Sequence, residues 1–188
     1  MTVILDHQVF AEPRIPYACP GYFIRAASTF WEKAGAQSLR HRVFVDEQQI
    51  FAEHDRDEID LVATTLVALS TYAHEADEVV GTVRIHEPEP GLWWGSRLAV
   101  EKRYRRVSHL GCELIRLAVS TANGRGCHTF LAHVQEGNIP LFQSLDWHLE
   151  GMVDLHGRPH GLMRADLSAY PPIEDPQTGW LAVSHRKS

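Results

Sequence analysis

The sequence has few of the residues that build disulfide-bonded or membrane-spanning proteins. It contains three cysteines among 188 residues, and Cys19, Cys112 and Cys127 form no Cys-x-x-Cys pair. An odd number without that spacing favours free thiols in a reducing compartment. The longest uncharged apolar stretch, Leu61–Ala73, is too short to cross a bilayer, and no basic segment with an apolar run opens the chain. We therefore expect a cytoplasmic protein that does not associate with a membrane.

Positive charge is also scarce. Lysine and arginine number 18 against 24 acidic residues, which gives a net charge of −6. Proteins that hold a phosphate backbone present basic surfaces, so we expect no nucleic-acid partner. His156 and His160 have a spacing of four residues but flank a glycine turn, and we expect no metal site there. The length suits one domain with a core that needs no metal or disulfide.

Composition divides the chain into three parts. Residues 1–20 contain three prolines and predict an N-terminal arm. Residues 21–169 carry the periodic patterns of a folded domain. Residues 170–188 begin with Tyr-Pro-Pro and predict an irregular C-terminal tail that packs elsewhere or on a second subunit. A homodimer is accordingly one possible assembly.

Apolar periodicity predicts the elements of the domain. The expected strands cover residues 21–28, 61–72, 79–86, 92–100, 127–134, 147–155 and 160–167. The expected helices cover residues 29–48, 110–123 and 138–145. In the first helix, Phe30, Ala34 and Leu39 are expected to face the core. This order predicts an α/β fold with a mixed sheet and a parallel strand–helix–strand unit over residues 92–134.

The loop before the helix that begins at Leu110 carries Arg105 and Arg106. Ligands of such sheets bind at the carboxyl end of a strand, where a loop leads into a helix. The first turn of a helix offers unpaired N–H groups and a partial positive charge, and both attract phosphate. The pattern thus indicates a diphosphate site, although two solvated surface arginines would have the same sequence.

The segment Ser96–Cys127 resembles the signature of the GNAT superfamily of acyl-CoA-dependent N-acyltransferases. In that family, a strand ending in Leu-x-Val leads into an Arg/Gln-x-x-Gly-x-Gly/Ala loop whose amides hold the coenzyme A pyrophosphate. Leu98–Val100 match the strand end, Arg106 matches the leading residue and Gly111 the last small residue. His109 stands where the first glycine is usual.

Two further segments are similar to GNAT sequences. Residues 42–60 resemble the R-x-VFV-x-EQ…E-x-D…D run of several branches, and residues 134–151 resemble the closing V-x-x-x-N…Y-x-x-x-G-F…G run. Asn138 and Trp147 match this second pattern, whereas Phe142 replaces its tyrosine. The branch most similar to the chain is the group of GNAT proteins encoded with nitrilase clusters and linked to nitrogen starvation.

The resemblance implies a mixed, mostly antiparallel α/β (α+β) sheet with helices on both faces. It implies acetyl-CoA as cosubstrate, no metal, a small-molecule amine as acceptor, and direct attack of that amine on the thioester. Backbone N–H groups of Leu98–Val100 would polarise the thioester carbonyl. The implied coenzyme-binding residues are Leu98, Ala99, Val100, Arg105, Arg106, Val107, Ser108, His109, Leu110, Gly111, Cys112, Asn138 and Phe142.

Deprotonation of an ammonium acceptor calls for a carboxylate or an imidazole. The candidate bases are Glu47, Glu53, Asp55, Asp60, His86 and His133. We favour Glu47 and Glu53, because the acidic segment would also attract a cationic amine, together with His133. The alternatives are a solvated acidic loop and a packed strand histidine. Phe142 has no proton to donate, so the thiolate takes its proton from Tyr104 or water, or leaves unaided.

Two rival functions remain open on the sequence. An acyl-homoserine-lactone-type synthase would share the fold and the Arg-x-x-x-Phe…Glu-x-Asp…Asp run. A non-catalytic acyl-CoA-binding module is the second rival, and His109 and Phe142 are the residues that suggest it.

Overall fold

A computed structural model describes residues 21–72, 75–105 and 109–183. The predicted arm over residues 1–20 lies outside this range, as do Arg106, Val107 and Ser108. The strands are β1 Gly21–Ala26, β2 Thr64–Tyr72, β3 Glu75–Glu89, β4 Leu92–Val100, β5 Thr129–Gln135, β6 Trp147–Leu155, β7 Arg158–Ala165 and β8 Trp180–Val183. The helices are α1 Phe30–His41, α2 Leu110–Gly124 and α3 Ile139–Gln143.

All eight strands form one sheet in the order β6-β7-β5-β4-β3-β2-β1-β8. Among the described residues, only β4 and β5 pair in parallel, and α2 connects them; the other pairings are antiparallel. The predicted mixed α/β fold is therefore confirmed. No helix in the described ranges has the length and apolar character needed to cross a membrane.

The two faces of the sheet carry separate cores. Side chains alternate between faces along a strand. On β2, Leu66 and Ala68 belong to the core that includes α2, whereas Val67 and Leu69 belong to the core that includes α1. The sheet therefore has an α2 side and an α1 side.

Helix α1 begins at a capping box. The side chain of Thr29 accepts from the Glu32 N–H, and the Glu32 carboxylate accepts from the Thr29 N–H at 2.9 Å. Leu39 is buried as predicted, but the prediction for Phe30 is wrong, because its side chain is 88% exposed beside the cap. Ala36 occupies the buried position instead. A wider π-helical turn, Arg42–Glu47, continues the helix.

Helix α2 confirms its predicted pattern. The residues predicted to face inward are all buried, namely Leu110, Leu114, Leu117, Ala118 and Thr121. The helix ends at Gly124, where a Cβ atom would lie 2.3 Å from the carbonyl oxygen of Ile173. Glycine at this position therefore lets the C-terminal segment cross the end of the helix.

The C-terminal segment, residues 170–188, is predicted from the sequence to be irregular. That prediction is wrong for Trp180–Val183, which form a strand. These residues form β8, which pairs with β1. Without β8, β1 would be an edge strand with unpaired backbone groups. Tyr170 anchors the segment: it is buried, its hydroxyl accepts from Trp147 Nε1 at 3.0 Å, and it donates to the Leu145 carbonyl. The segment therefore belongs to the same folded unit.

Candidate active site

A gap opens in the sheet where β4 and β5 separate. The two strands pair only from Leu92 to Gly95 on β4, opposite Thr129–Ala132 on β5. Beyond that point β4 pairs with β3 alone, and β5 pairs with β7 alone. A bulge in β4 accompanies the separation, and Arg97 within it has a φ of 55°. Such a bulge bends the strand away from its neighbour.

A cleft of about 230 Å³ occupies this gap. Its lining includes Ile115 and Phe142 from the α2-side core and Phe44 from the α1-side core. Phe51, packed against the α1-side core, also lines it. The cleft therefore passes through the sheet and connects its two faces.

The amino end of α2 lies next to the end of β4, as the sequence predicts. The first helical hydrogen bond runs from the Glu113 N–H to the His109 carbonyl, so the N–H groups of Leu110, Gly111 and Cys112 have no partner within the helix. The His109 side chain does not cap the helix. Apart from its chain neighbours and the backbone of its own helix, no described residue has a heavy atom within 4 Å of a Cβ built on Gly111. This arrangement fits an anionic group that approaches the backbone closely.

Arg105, the described arginine of the predicted diphosphate loop, contacts protein groups. Its guanidinium donates to both carboxylate oxygens of Glu47, at 2.5 and 2.8 Å, and to the Val100 carbonyl at 2.8 Å. The hydrogen bonds from Arg105 lower the pKa of Glu47. Glu47 does not line the cleft and is held as a carboxylate, which makes it a poor base in this arrangement.

Six charged side chains on the α1 side form a neutral group that we name the charge cluster. Its members are Arg40, Arg84, Arg97, Asp55, Asp57 and Asp60. Arg40 lies 2.6 Å from Asp55 and 2.5 Å from Asp60. Arg84 donates to both oxygens of Asp57 at 2.6 Å. Because three arginines balance three aspartates, this part of the acidic segment does not offer the free negative charge that we expected to attract a cationic amine.

Hydrogen bonding keeps the cluster ionised. Burial raises the pKa of Asp60, but the hydrogen bonds from Arg40 and Arg84 lower it by more than burial raises it. The pKa therefore lies well below its ordinary value. The pKa of Asp57 is also lowered, and the hydrogen bonds from Arg84 are the largest cause. Both carboxylates are therefore held in the anionic form.

The charge cluster holds the bulged half of β4 in place. Arg84 Nε donates to the Ser96 hydroxyl at 2.9 Å. Arg97 donates to the Asp55 carbonyl at 3.1 and 3.2 Å, and its guanidinium lies 4.5 Å from the centre of the Phe51 ring. Ser96, Arg97 and Phe51 line the cleft, so the cluster forms part of its wall.

Three histidines line the cleft: His133, His156 and His160. The His133 ring lies 4.9 Å from Trp94, and the His156 ring meets Phe51 edge-on at 5.1 Å. Burial, and then the charge of His160, lower the pKa of His133. Of the three predicted catalytic residues, only His133 lines the cleft, since Glu47 is paired with Arg105 and Glu53 is exposed elsewhere.

The chain matches the acetyltransferase (GNAT) family over residues 28–147. It belongs to that family. Membership makes the chain an acyl-CoA-dependent acyltransferase. No curated protein matches the chain.

Solved structures share the GNAT fold with the chain. A candidate N-acetyltransferase from Lactobacillus plantarum is 23% identical, with a TM-score of 0.68 over 78% of this chain and 98% of that one. An acyl-CoA N-acyltransferase from Pseudomonas aeruginosa is 20% identical, with a TM-score of 0.62 over 77% and 97%. The CoA-dependent acyl-homoserine lactone synthase BjaI is 16% identical, with a TM-score of 0.64 over 85% and 94%.

The predicted coenzyme-binding residues of this GNAT chain fall into two groups. Leu98, Asn138 and Phe142 line the cleft, and the Phe142 ring meets Trp147 edge-on at 5.0 Å. A second group lies along the end of β4 and the start of α2, and comprises Ala99, Val100, Arg105, His109, Leu110, Gly111 and Cys112. The contacts of both groups with a coenzyme stay predictions.

Sequence reasoning missed two features of this site. It treated His156 and His160 only as possible metal ligands, and it did not predict that arginines would neutralise the acidic segment. The period-two pattern of β7 carried a signal for His160, but the pairing of β7 with β5 was needed to use it.

Proposed function

We propose that this GNAT protein transfers an acetyl group from acetyl-CoA to the amine of a small molecule. The observation that carries the proposal is the cleft through the sheet, which has the free edge of β4 on one wall and the amino end of α2 beside it. A cosubstrate can enter such a passage from the α2 side and an acceptor from the α1 side.

In this proposal, the coenzyme diphosphate binds at the loop that includes Arg106 and at the first N–H groups of α2. The thioester is placed in the gap, where β4 lacks a strand partner on the β5 side. Backbone N–H groups within Leu98–Val100 would donate to the thioester oxygen as negative charge develops on it. Asn138 and Phe142 line the neighbouring wall of the cleft.

Attack by an uncharged amine forms the C–N bond and breaks the C–S bond. Phe142 has no hydroxyl group, and Tyr104 packs edge-on against Tyr22 outside the cleft lining. The thiolate therefore leaves without a protein acid and takes its proton from water or from the attacking nitrogen. Its modest basicity makes this departure feasible.

An acyl-homoserine-lactone-type reaction is the second candidate. The run noted in the sequence favours it, and its members here are Arg40, Phe44, Glu53, Asp55 and Asp60. Arg40, Asp55 and Asp60 also belong to the charge cluster. BjaI, which shares the fold, was solved with SAM and isopentyl-CoA. In the present chain, however, every aspartate of that run is paired with an arginine.

A thiol-release screen separates these reactions. Acetyl-CoA, a longer acyl-CoA and acyl-carrier protein are each offered with a panel of small amines and with SAM. Release of CoA with formation of an N-acetyl amine supports the proposal. Transfer only to SAM would favour the second candidate, and tight acyl-CoA binding without transfer to any acceptor would favour the non-catalytic module.

A further inference from the structure

The α1 side of the cleft, which we name the acceptor half, is rich in imidazole. His133 lies on β5, His156 in the turn before β7, and His160 on β7. His160 pairs in register with Gln135 of β5, and Gln135 donates to the Gln48 side chain at 3.0 Å. The histidines therefore come from separate elements that meet at one end of the cleft.

The tautomer of His160 is fixed by a backbone carbonyl. Its Nδ1 lies 2.9 Å from the Arg158 oxygen, which can only accept a hydrogen bond, so Nδ1 carries the proton. The Nε2 of the neutral ring then holds the lone pair. No hydrogen-bond partner for this Nε2 exists within residues 21–72, 75–105 and 109–183. The residue is 8% exposed and lines the cleft, so this lone pair is available inside it.

The part of the cleft around His160 has no carboxylate among its described lining residues. The titratable or charged groups near it are His133 on β5, His156 in the turn, Arg97 on β4 and Arg158 on its own strand. Among the described lining residues there is no aspartate, glutamate or lysine. Arg97 contacts Asp55 and Asp57 of the charge cluster. Nε2 of His160 therefore has no carboxylate partner among the described residues that line the cleft.

We propose that His160 is the general base of the transfer, a role that rests on the proposed function. Nε2 takes one proton from the acceptor nitrogen, and the lone pair freed on that nitrogen attacks the thioester carbon. The C–N bond forms, the C–S bond breaks, and the thiolate takes the second nitrogen proton. The imidazolium then releases its proton to water, so the net products are the amide, the free thiol and one proton.

The same surroundings define the acceptor class. The acceptor half offers aromatic and aliphatic surface from Phe44, Ile50, Phe51 and Leu155 but no described carboxylate to hold an ammonium group. An amine that sheds its charge easily loses little on entering such a site, whereas a polyamine must desolvate several charges without partners. The acceptor is therefore an apolar monoamine.

The test compares His160→Asn with His156→Asn and His133→Asn. Asparagine can still donate to the Arg158 carbonyl from a position close to that of Nδ1, but it has no basic nitrogen. The His156→Asn variant is the matched control, since that side chain also lines the cleft and is exposed. The acceptor is the best arylalkyl amine of the screen, with spermidine as the polycationic comparison.

We expect His160→Asn to lower kcat/KM by roughly 100-fold to 10,000-fold and to remove the acidic limb of the pH profile. Acetyl-CoA affinity by calorimetry should not change, and His156→Asn should keep the limb. A limb that persists in His160→Asn and vanishes in His133→Asn would overturn the assignment, as would a preference for spermidine over the apolar amine. Absence of turnover in the wild type would instead count against the proposed function.

A measurement on the wild type keeps the proposal testable even if the His160→Asn variant does not fold. Long-range ¹⁵N–¹H spectra of the imidazoles at neutral pH report which nitrogen of His160 carries the proton. A proton on Nδ1 is expected. A proton on Nε2 would contradict the proposal, because no lone pair would then face the acceptor.

Discussion

Two of the molecule's sets of arginine–carboxylate contacts differ in burial. In the charge cluster, Arg40 and Arg84 are only 3% and 2% exposed. In the pair at the start of the diphosphate loop, the side chains of Arg105 and Glu47 are 33% and 35% exposed. The geometry of the two sets is similar, since each includes a bidentate arginine–carboxylate contact, Arg84 with Asp57 and Arg105 with Glu47.

Burial gives these similar contacts different roles. A buried guanidinium that loses its carboxylate is left with an unpaired charge, so the charge cluster is fixed once the chain has folded. An exposed pair contributes little to stability, and water or another anion can take the place of its carboxylate. The cluster therefore shapes the cleft wall, whereas Arg105 can exchange Glu47 for the coenzyme phosphate that we propose binds beside it.

The largest expected effect comes from breaking the buried set. Arg40→Ala should lower the free energy of unfolding by about 3–5 kcal/mol, because it leaves the buried cluster with two arginines against three aspartates and removes the contacts of Arg40 with Asp55 and Asp60. Arg105→Ala, the matched exposed variant, should cost less than about 1 kcal/mol. Urea unfolding of both variants measures the difference. Equal losses would show that burial does not distinguish the two sets.

A second test uses pH. Asp57 and Asp60 have folded pKa values below those of the unfolded chain, so their contribution is fully present above the ordinary aspartate pKa. It is lost as the pH falls through the depressed values. We expect the urea midpoint to fall steeply below about pH 4. Asp60→Asn should be less stable at pH 7 and should change less on acidification. A wild-type midpoint unchanged between pH 5 and pH 2.5 would contradict this account.

How far the sequence predicts this molecule depends on the range of the interactions. Helix α2 follows from its own apolar spacing, and the parallel β4–β5 unit follows from the order of the elements around it. Strand β8 does not, because its four residues are too few for a periodic signal and its partner β1 is more than 150 residues away.

The candidate site shows the same limit. The loop at the amino end of α2 is local in sequence and was found there. The charge cluster joins an arginine of α1 to aspartates of a loop and to arginines of β3 and β4, so only the folded chain brings its members together. Phe30 illustrates a smaller error. Its place in the periodic pattern predicts a buried side chain, but the side chain lies in solvent beside the capping turn.

A third prediction sharpens the role of the exposed pair. Glu47→Gln frees the Arg105 guanidinium and removes a negative charge beside the diphosphate loop. Acetyl-CoA affinity should rise by about 2-fold to 5-fold, in line with the modest energies of exposed pairs. Glu150→Gln, which breaks an exposed pair with Arg164, is the control and should have no effect. Weaker binding in Glu47→Gln would assign Glu47 a direct role in the site.

The smallest effect is expected at Phe142. Phe142→Tyr restores a hydroxyl group at the place where GNAT sequences usually have tyrosine, within the cleft and against Trp147. If the thiolate leaves without a protein acid, kcat should change by less than about 3-fold, because the thiolate is a good leaving group. Steady-state kinetics with acetyl-CoA measure it. A rise of two orders of magnitude would show that protonation limits the natural enzyme.

Calorimetric titration of acetyl-CoA into the wild type and Arg106→Ala is the most direct test of the central claim, that the amino end of α2 binds the coenzyme diphosphate. We predict saturable binding at one site, weakened by roughly 1–3 kcal/mol in the variant, the range for charge-assisted hydrogen bonds. Equal affinity in both proteins, or no binding to the wild type at millimolar acetyl-CoA, would contradict the claim.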